Sequence, residues 1–305
     1  MKRVDRTTCL ALTLVASVAV TSAQQLQPRL PAFRTAIALT TVTATVVDRN
    51  GALVTGLPRE AFDVFEDGEL QTITQFTNER VPVSLAVLLD VSDSMYGRRI
   101  QDARDAIERF VEDLLERGDE FSILAFNHRQ TLLTPWTSQP AVASIVMRPL
   151  QPFGSTAIYD AVLAALPLVE TRGRERAALL VISDGADTAS DTSLRDVRSA
   201  LLHTDAFLYA IAIDAPDRRT INVPINAAAL KALTDQSGGR TSVVRSSSDL
   251  SDALVDIANE LNSQYLIGYT SPKGADGRYH TIRVRVRGTD YRVRARNGYV
   301  AEPMN

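Results

Sequence analysis

The stretch AVLLDVSDSM, residues 86–95, decides the fold because an apolar run stops there at an aspartate. The run from Val83 to Leu89 predicts a strand that is buried on both faces. Asp90, Ser92 and Ser94 then place oxygen-bearing side chains at every second position. Two interpretations stay open for this stretch alone: a strand followed by a helix cap, or one half of a metal site.

Downstream of this stretch, strand-like and helix-like segments alternate. Apolar residues recur at helical spacing from Ile100 to Leu114, and we predict the further segments in the same way. The predicted strands are 121–126, 177–183, 207–213 and 241–244, and the predicted helices are 161–169, 193–202, 227–235 and 250–261. This alternation predicts an α/β fold with a doubly wound, mostly parallel sheet over residues 81–262.

The two flanks of this domain, residues 34–80 and 265–300, read as β-rich. Thr- and Val-rich runs and Asn-Gly or Asp-Gly turn signals recur there. Each flank alone has too few strands to be stable. We therefore predict that they pair into one small β-sandwich into which the α/β domain is inserted.

The first 23 residues have the pattern of a secretory signal peptide: a basic start, a short apolar run and small residues before Gln24. We expect an exported protein, periplasmic or extracellular, that is not transmembrane once the signal is removed. The alternative is a retained N-terminal anchor. Removal of the segment also takes Cys9, the single cysteine, and leaves 30 basic and 35 acidic side chains, which do not favour nucleic-acid binding.

Two more loops carry oxygen ligands. Thr156 lies in a Gly-Ser-Thr loop before the helix at 161, and Asp184 follows the strand at 177–183. In a doubly wound sheet such loops gather at the carboxyl ends of the strands. Each loop alone has an ordinary turn or cap explanation, but an all-oxygen set with two carboxylates suits Mg²⁺, and Mn²⁺ or Ca²⁺ could replace it.

Residues 82–262 resemble a von Willebrand factor type A domain. DVSDSM resembles the family's Asp-x-Ser-x-Ser motif, GSTAIYDA contains its threonine and VISDGADT its second aspartate. The resemblance implies a metal-ion-dependent adhesion site. In that site Asp90, Ser92, Ser94, Thr156 and Asp184 would hold Mg²⁺ directly or through water. The flanks are similar to those of a bacterial, exported subgroup of von Willebrand factor A-related proteins.

These observations predict an exported, non-enzymatic adhesion module whose Mg²⁺ captures an Asp or Glu side chain of a partner protein. The alternatives are a Mg²⁺-assisted hydrolase and an envelope scaffold with a mainly structural α/β domain. Against the hydrolase, we expect no histidine near the three loops. The alternating arginines from Arg283 to Arg296 are interpreted as the solvated face of a sheet. The partner's identity and the oligomeric state stay open.

Overall fold

The computed structural model describes residues 39–172, 176–184, 187–214, 226–274 and 276–301. The predicted signal peptide lies outside these described residues. Within them, no helix combines the length and the apolar character that crossing a lipid bilayer requires.

The strands and helices follow the predicted succession of β-rich flank, α/β domain and β-rich flank. The first flank has β1 (Leu39–Val47), β2 (Phe62–Glu66), β3 (Glu69–Gln71) and β4 (Ile73–Thr77). The central strands are β5 (Ser84–Asp90), β6 (Glu120–Phe126), β7 (Gln130–Thr137), β8 (Ala177–Ser183), β9 (Phe207–Ile213) and β10 (Thr241–Val244). The helices are α1 (Arg98–Arg109), α2 (Ala141–Met147), α3 (Ile158–Glu170), α4 (Leu194–Ala200), α5 (Ala227–Ser237) and α6 (Ser247–Asn262). The second flank has β11 (Tyr265–Thr270), β12 (Tyr279–Val286), β13 (Arg292–Ala295) and β14 (Gly298–Val300).

The central sheet has the strand order β10-β9-β8-β5-β6-β7. All neighbours pair in parallel except β6 and β7, which are antiparallel. The predicted doubly wound, mostly parallel sheet is therefore confirmed. The prediction missed β7 and α2. β7 is an edge strand with a single buried residue, and it contains Pro135, a residue that edge strands tolerate.

Helices cover both faces of this sheet, and every residue of β5 is therefore buried. Leu85, Val87 and Leu89 belong to an apolar cluster with α1, α2 and α6. Ala86 and Leu88 belong to a second cluster with α3, α4 and α5. A strand buried on both faces is what the apolar run in the sequence predicts.

The two flanks pair with each other, as predicted. One four-stranded sheet has the order β13-β1-β11-β4, and the other has the order β14-β12-β2-β3. Each sheet mixes strands from both flanks, and the two share a third apolar cluster that includes Val42, Phe62 and Tyr265. Residues 36–305 form one compact unit, so the domain boundaries near residues 81 and 262 stay a prediction.

The alternating arginines divide into two groups. Along β12, Arg283 and Arg285 are exposed while their neighbours are buried, as expected for a solvated face. Arg294 and Arg296 differ, because they pair with Glu260 and Asp205 of the α/β domain. For these two, the interpretation as a solvated face is wrong, since the α/β domain packs next to β13.

Glu260 of α6 is the centre of a buried polar contact between the two parts of the fold. Its side chain is 2% exposed. It accepts hydrogen bonds from Thr45 in β1 at 3.2 Å, from Tyr209 in β9 at 3.1 Å and from Arg294 in β13 at 2.6 Å. One carboxylate thus ties the sandwich to the central sheet and to the last helix.

We predict that Glu260→Ala lowers the free energy of unfolding by about 2–3 kcal/mol, because it removes the acceptor of the buried Thr45 and Tyr209 hydroxyls and the counter-charge of Arg294. Asp256→Ala is the matched control, since Asp256 lies on the same helix with a side chain 63% exposed. Its effect should stay within about 1 kcal/mol. Urea unfolding followed by circular dichroism measures both, and equal effects would contradict the role of Glu260.

Candidate metal centre

The predicted site lies at the crevice of the central sheet. Strands β5 and β8 are neighbours, but the chain leaves β5 toward β6 on one side and leaves β8 toward β9 on the other. The carboxyl ends of two such strands form the crevice where ligands bind in doubly wound sheets. Asp90 is the last residue of β5, and Asp184 directly follows β8.

Asp90 is fully buried, and both of its carboxylate oxygens accept hydrogen bonds. Oδ1 accepts from the Ser92 backbone N–H at 2.8 Å, and Oδ2 accepts from the Ser183 hydroxyl at 2.5 Å. Burial raises the pKa of Asp90 to about 7, although these hydrogen bonds oppose the rise. A carboxylate held in this way is costly for folding and is suited to a cation.

A chain of hydroxyl contacts joins the first loop to Asp184. The hydroxyls of Ser92 and Ser94 lie 3.0 Å apart, and Ser94 donates to Asp184 Oδ1 at 2.6 Å. Neither serine caps α1, which begins at Arg98 after Gly97. The helix-cap interpretation of the opening stretch is therefore wrong for α1.

Backbone hydrogen bonds place Thr156 at the same edge of the sheet. Phe153 N–H donates to the carbonyl of Val91 at 2.9 Å, and Asp93 N–H donates to the carbonyl of Gly154 at 2.8 Å. These bonds fasten the Gly-Ser-Thr loop to the Asp-x-Ser-x-Ser loop. Thr156 itself is buried. The structure thus gathers all five predicted residues at one sheet edge, and direct contacts join four of them.

Arg99 belongs to this cluster and was not predicted from the sequence. Its guanidinium donates to the Ser94 carbonyl at 2.9 Å and forms an ion pair with Asp184. Burial raises the pKa of Asp184, although the hydrogen bond from Ser94 and the charge of Arg99 oppose the rise. A single sequence gives no signal for this contact, which joins residues 85 positions apart.

His128 corrects a second expectation, that no histidine lies near the three loops. It follows β6, the strand beside β5, and its ring lies against Gly154, where an added Cβ would be 2.6 Å from Nδ1. Its ring also meets Phe153 edge-on, with centroids 5.8 Å apart. The loop after β6 carried no acidic or hydroxyl pattern, so the sequence analysis did not consider it.

The donor set fits a hard divalent cation. It offers carboxylate and hydroxyl oxygens, which Mg²⁺ prefers, and it contains no sulfur or imidazole ligand. The described residues contain no group of three or more His, Cys, Asp or Glu side chains that could hold a metal ion. A cation at this site would therefore depend on hydroxyl and water ligands in addition to Asp90 and Asp184.

Comparison with known proteins agrees with this geometry. Residues 85–186 match the family model of the von Willebrand factor type A domain. The chain contains a von Willebrand factor type A domain. The matched segment starts within β5 and extends just past Asp184, so it includes all five predicted site residues.

Curated relatives of this chain include human inter-alpha-trypsin inhibitor heavy chain H4, 24% identical over 69% of this chain. Mouse inter-alpha-trypsin inhibitor heavy chain H2 is 22% identical over 61% of this chain. The chain spans 24% and 20% of the length of these relatives.

Two solved structures share the fold of this chain. A von Willebrand factor type A protein from Catenulispora acidiphila is 12% identical, with a TM-score of 0.53, and the match covers 85% of this chain and 73% of that chain. BatB from Bacteroides thetaiotaomicron is 21% identical, with a TM-score of 0.50, over 59% of this chain and 97% of that chain. At these identities the likeness shows the fold alone.

The raised pKa of Asp90 gives a pH-dependent prediction for the metal-free protein. Since the pKa rises from 3.8 to about 7 on folding, the free energy of unfolding should fall between pH 4 and pH 7, because the carboxyl ionises in the unfolded chain but stays protonated in the folded protein. Asp90→Asn removes this loss, so its advantage over the wild type should grow across that range and level off above pH 7 at about 4 kcal/mol.

Urea unfolding in EDTA at pH 4 and pH 8 measures this difference. Asp93→Asn is the matched control, because Asp93 lies in the same loop with an exposed side chain. An advantage of Asp90→Asn that is the same at both pH values, or that Asp93→Asn shares, would contradict the prediction.

Proposed function

We propose that this protein is an exported binding module that captures a carboxylate of a partner protein through a bound Mg²⁺. Asp90, Ser92, Ser94, Thr156 and Asp184 would hold the ion, directly or through water. The observation that carries the proposal is the unbroken contact chain Asp90–Ser92–Ser94–Asp184 at the crevice between β5 and β8. Mn²⁺ or Ca²⁺ could occupy the same oxygen set.

The ligand chemistry favours binding to an acidic group. Two carboxylates and three neutral hydroxyls provide fewer anionic ligands than closed all-protein cation sites do. A position on the metal that the protein does not fill is then available for an oxygen of a partner. An Asp or Glu side chain supplies both the oxygen and the negative charge.

The surroundings of the site favour a protein partner. Tyr96 and Phe153 lie on the two loops that carry the predicted ligands, and they are 56% and 57% exposed. The backbone of Phe153 is fixed at both its N–H, by Val91, and its carbonyl, by Asn127. Rigid, exposed aromatic side chains are frequent anchors in protein–protein interfaces.

A Mg²⁺-assisted hydrolase is the second candidate, and His128 is the observation that favours it. An imidazole beside the Gly-Ser-Thr loop could act as a general base if a substrate reached it. We place it second because His128 has no carboxylate orienting its ring among the contacts described above. A third candidate is an envelope scaffold that is held by the β-sandwich and in which the α/β domain is mainly structural.

We predict that the immobilised protein captures envelope proteins in Mg²⁺ and releases them in EDTA. Asp90→Ala should abolish the capture because it removes the anchoring carboxylate, whereas Asp93→Ala, in the same loop, should retain it. Quantitative mass spectrometry of the eluates measures the effect. Equal capture under all these conditions would contradict the metal bridge.

A test of hydrolysis separates the first two candidates. Phosphate-ester, peptide and glycoside substrates are incubated with the protein, with Asp90→Ala and with His128→Ala. The binding module predicts no turnover that depends on Asp90 or His128. Hydrolysis that both substitutions abolish would replace the binding proposal with the hydrolase.

A further inference from the structure

We infer that Arg99 sets the net charge of the candidate metal centre: it weakens the binding of divalent cations and leaves the loaded site positively charged toward a carboxylate. This inference rests on the proposed function, because it concerns the same site. It assigns a role to a residue outside the five predicted ligands.

Arg99 contacts two of the predicted ligand residues directly. One nitrogen of its guanidinium contacts both the Ser94 carbonyl, at 2.9 Å, and Asp184 Oδ2. The Arg99 side chain is 11% exposed and the Asp184 side chain is fully buried. A charged pair so far removed from water interacts more strongly than a surface pair and is little screened by salt.

The neighbouring arginine, Arg98, does not share the contact that Arg99 makes with Asp184. Arg98 is the first residue of α1, and its side chain is 83% exposed. Its closest acidic partner is Asp102, one helical turn along, at 3.7 Å. Two consecutive arginines therefore carry the same charge, but only Arg99 brings its charge into contact with a predicted metal ligand.

Without a cation, Arg99 supplies positive charge to the buried carboxylates. Asp184 then has a partner on each oxygen, Ser94 on Oδ1 and Arg99 on Oδ2. The same charge opposes an incoming dication, because the cation must bind while a guanidinium remains in contact with one of its two acidic ligands.

With a cation bound, Arg99 changes the charge that a partner meets. The carboxylates of Asp90 and Asp184 together neutralise one divalent ion. Arg99 adds one positive charge, so this group of residues and the ion carry a net charge of +1 instead of zero. The positive charge of Arg99 therefore lowers the affinity of the site for the metal and raises its affinity for an anion.

Isothermal titration with MgCl₂ tests the first half of the inference. Arg99→Met should bind Mg²⁺ about tenfold more tightly than the wild type, since removal of one nearby positive charge changes the dissociation constant by about a factor of ten. Arg99→Lys keeps the charge and should stay close to the wild type. Arg98→Met removes the same charge from an exposed position and should not change the affinity.

Acetate tests the second half. Each protein is loaded with Mn²⁺, and the displacement of metal-bound water by acetate is followed by water proton relaxation. Arg99→Met should require several-fold more acetate than the wild type or Arg98→Met. Arg99→Gln, which retains donors without the charge, repeats both measurements if Arg99→Met does not fold without metal.

The outcomes separate this inference from the proposed function. If the wild type binds Mg²⁺ and Asp90→Ala does not, but the Arg99 variants match the wild type, the role of Arg99 is wrong and the metal centre stands. If Arg99→Met binds Mg²⁺ more weakly, Arg99 supports the site and does not oppose the metal, which also overturns the inference. If neither the wild type nor any variant binds a divalent ion, the proposed function fails and the inference fails with it.

Discussion

The parallel pairing of β5 with β8 is the constraint on which the rest of the structure depends. The register places Leu89 opposite Ile182, so Asp90 and Ser183 end the two strands side by side. Apolar side chains on both faces hold this pair in the centre of the sheet, and the helices are needed to cover them. The polar residues that follow the strands are thereby forced into one crevice, which no loop could create alone.

Much of the fold could be predicted from the sequence because its strongest patterns are local. The apolar run before Asp90 and the alternation of strand and helix patterns predicted the sheet and its two helical layers. The proximity of Asp90, Ser92 and Ser94 to Asp184 could be predicted for the same reason, since the loops that follow parallel strands meet at one edge of the sheet. The edge strand β7 was missed because its Pro135 and exposed residues resemble a loop.

Contacts between distant segments could not be predicted in this way. Arg99 and His128 reach the site through tertiary packing, and nothing in their local sequence distinguishes them from surface residues. Arg294 is a further contact that the sequence pattern could not predict. Its alternation with apolar neighbours identifies one face of a strand, but the pattern does not reveal whether water or α6 covers that face. In the structure Glu260 covers it, with a hydrogen bond of 2.6 Å.

The buried carboxylates of the site are difficult to explain by folding alone. An apolar or amide side chain at position 90 would end β5 without the cost of burying a charge, and Ser183 could still form a hydrogen bond to an amide. Glu260, by contrast, has three donors and an arginine that compensate its burial and join two parts of the fold. Asp90 accepts hydrogen bonds from Ser92 and Ser183, and its burial still raises the pKa of the carboxyl to about 7. A buried carboxyl with a raised pKa, at the crevice where the ends of β5 and β8 converge, is therefore an argument for the proposed cation and against a purely structural role.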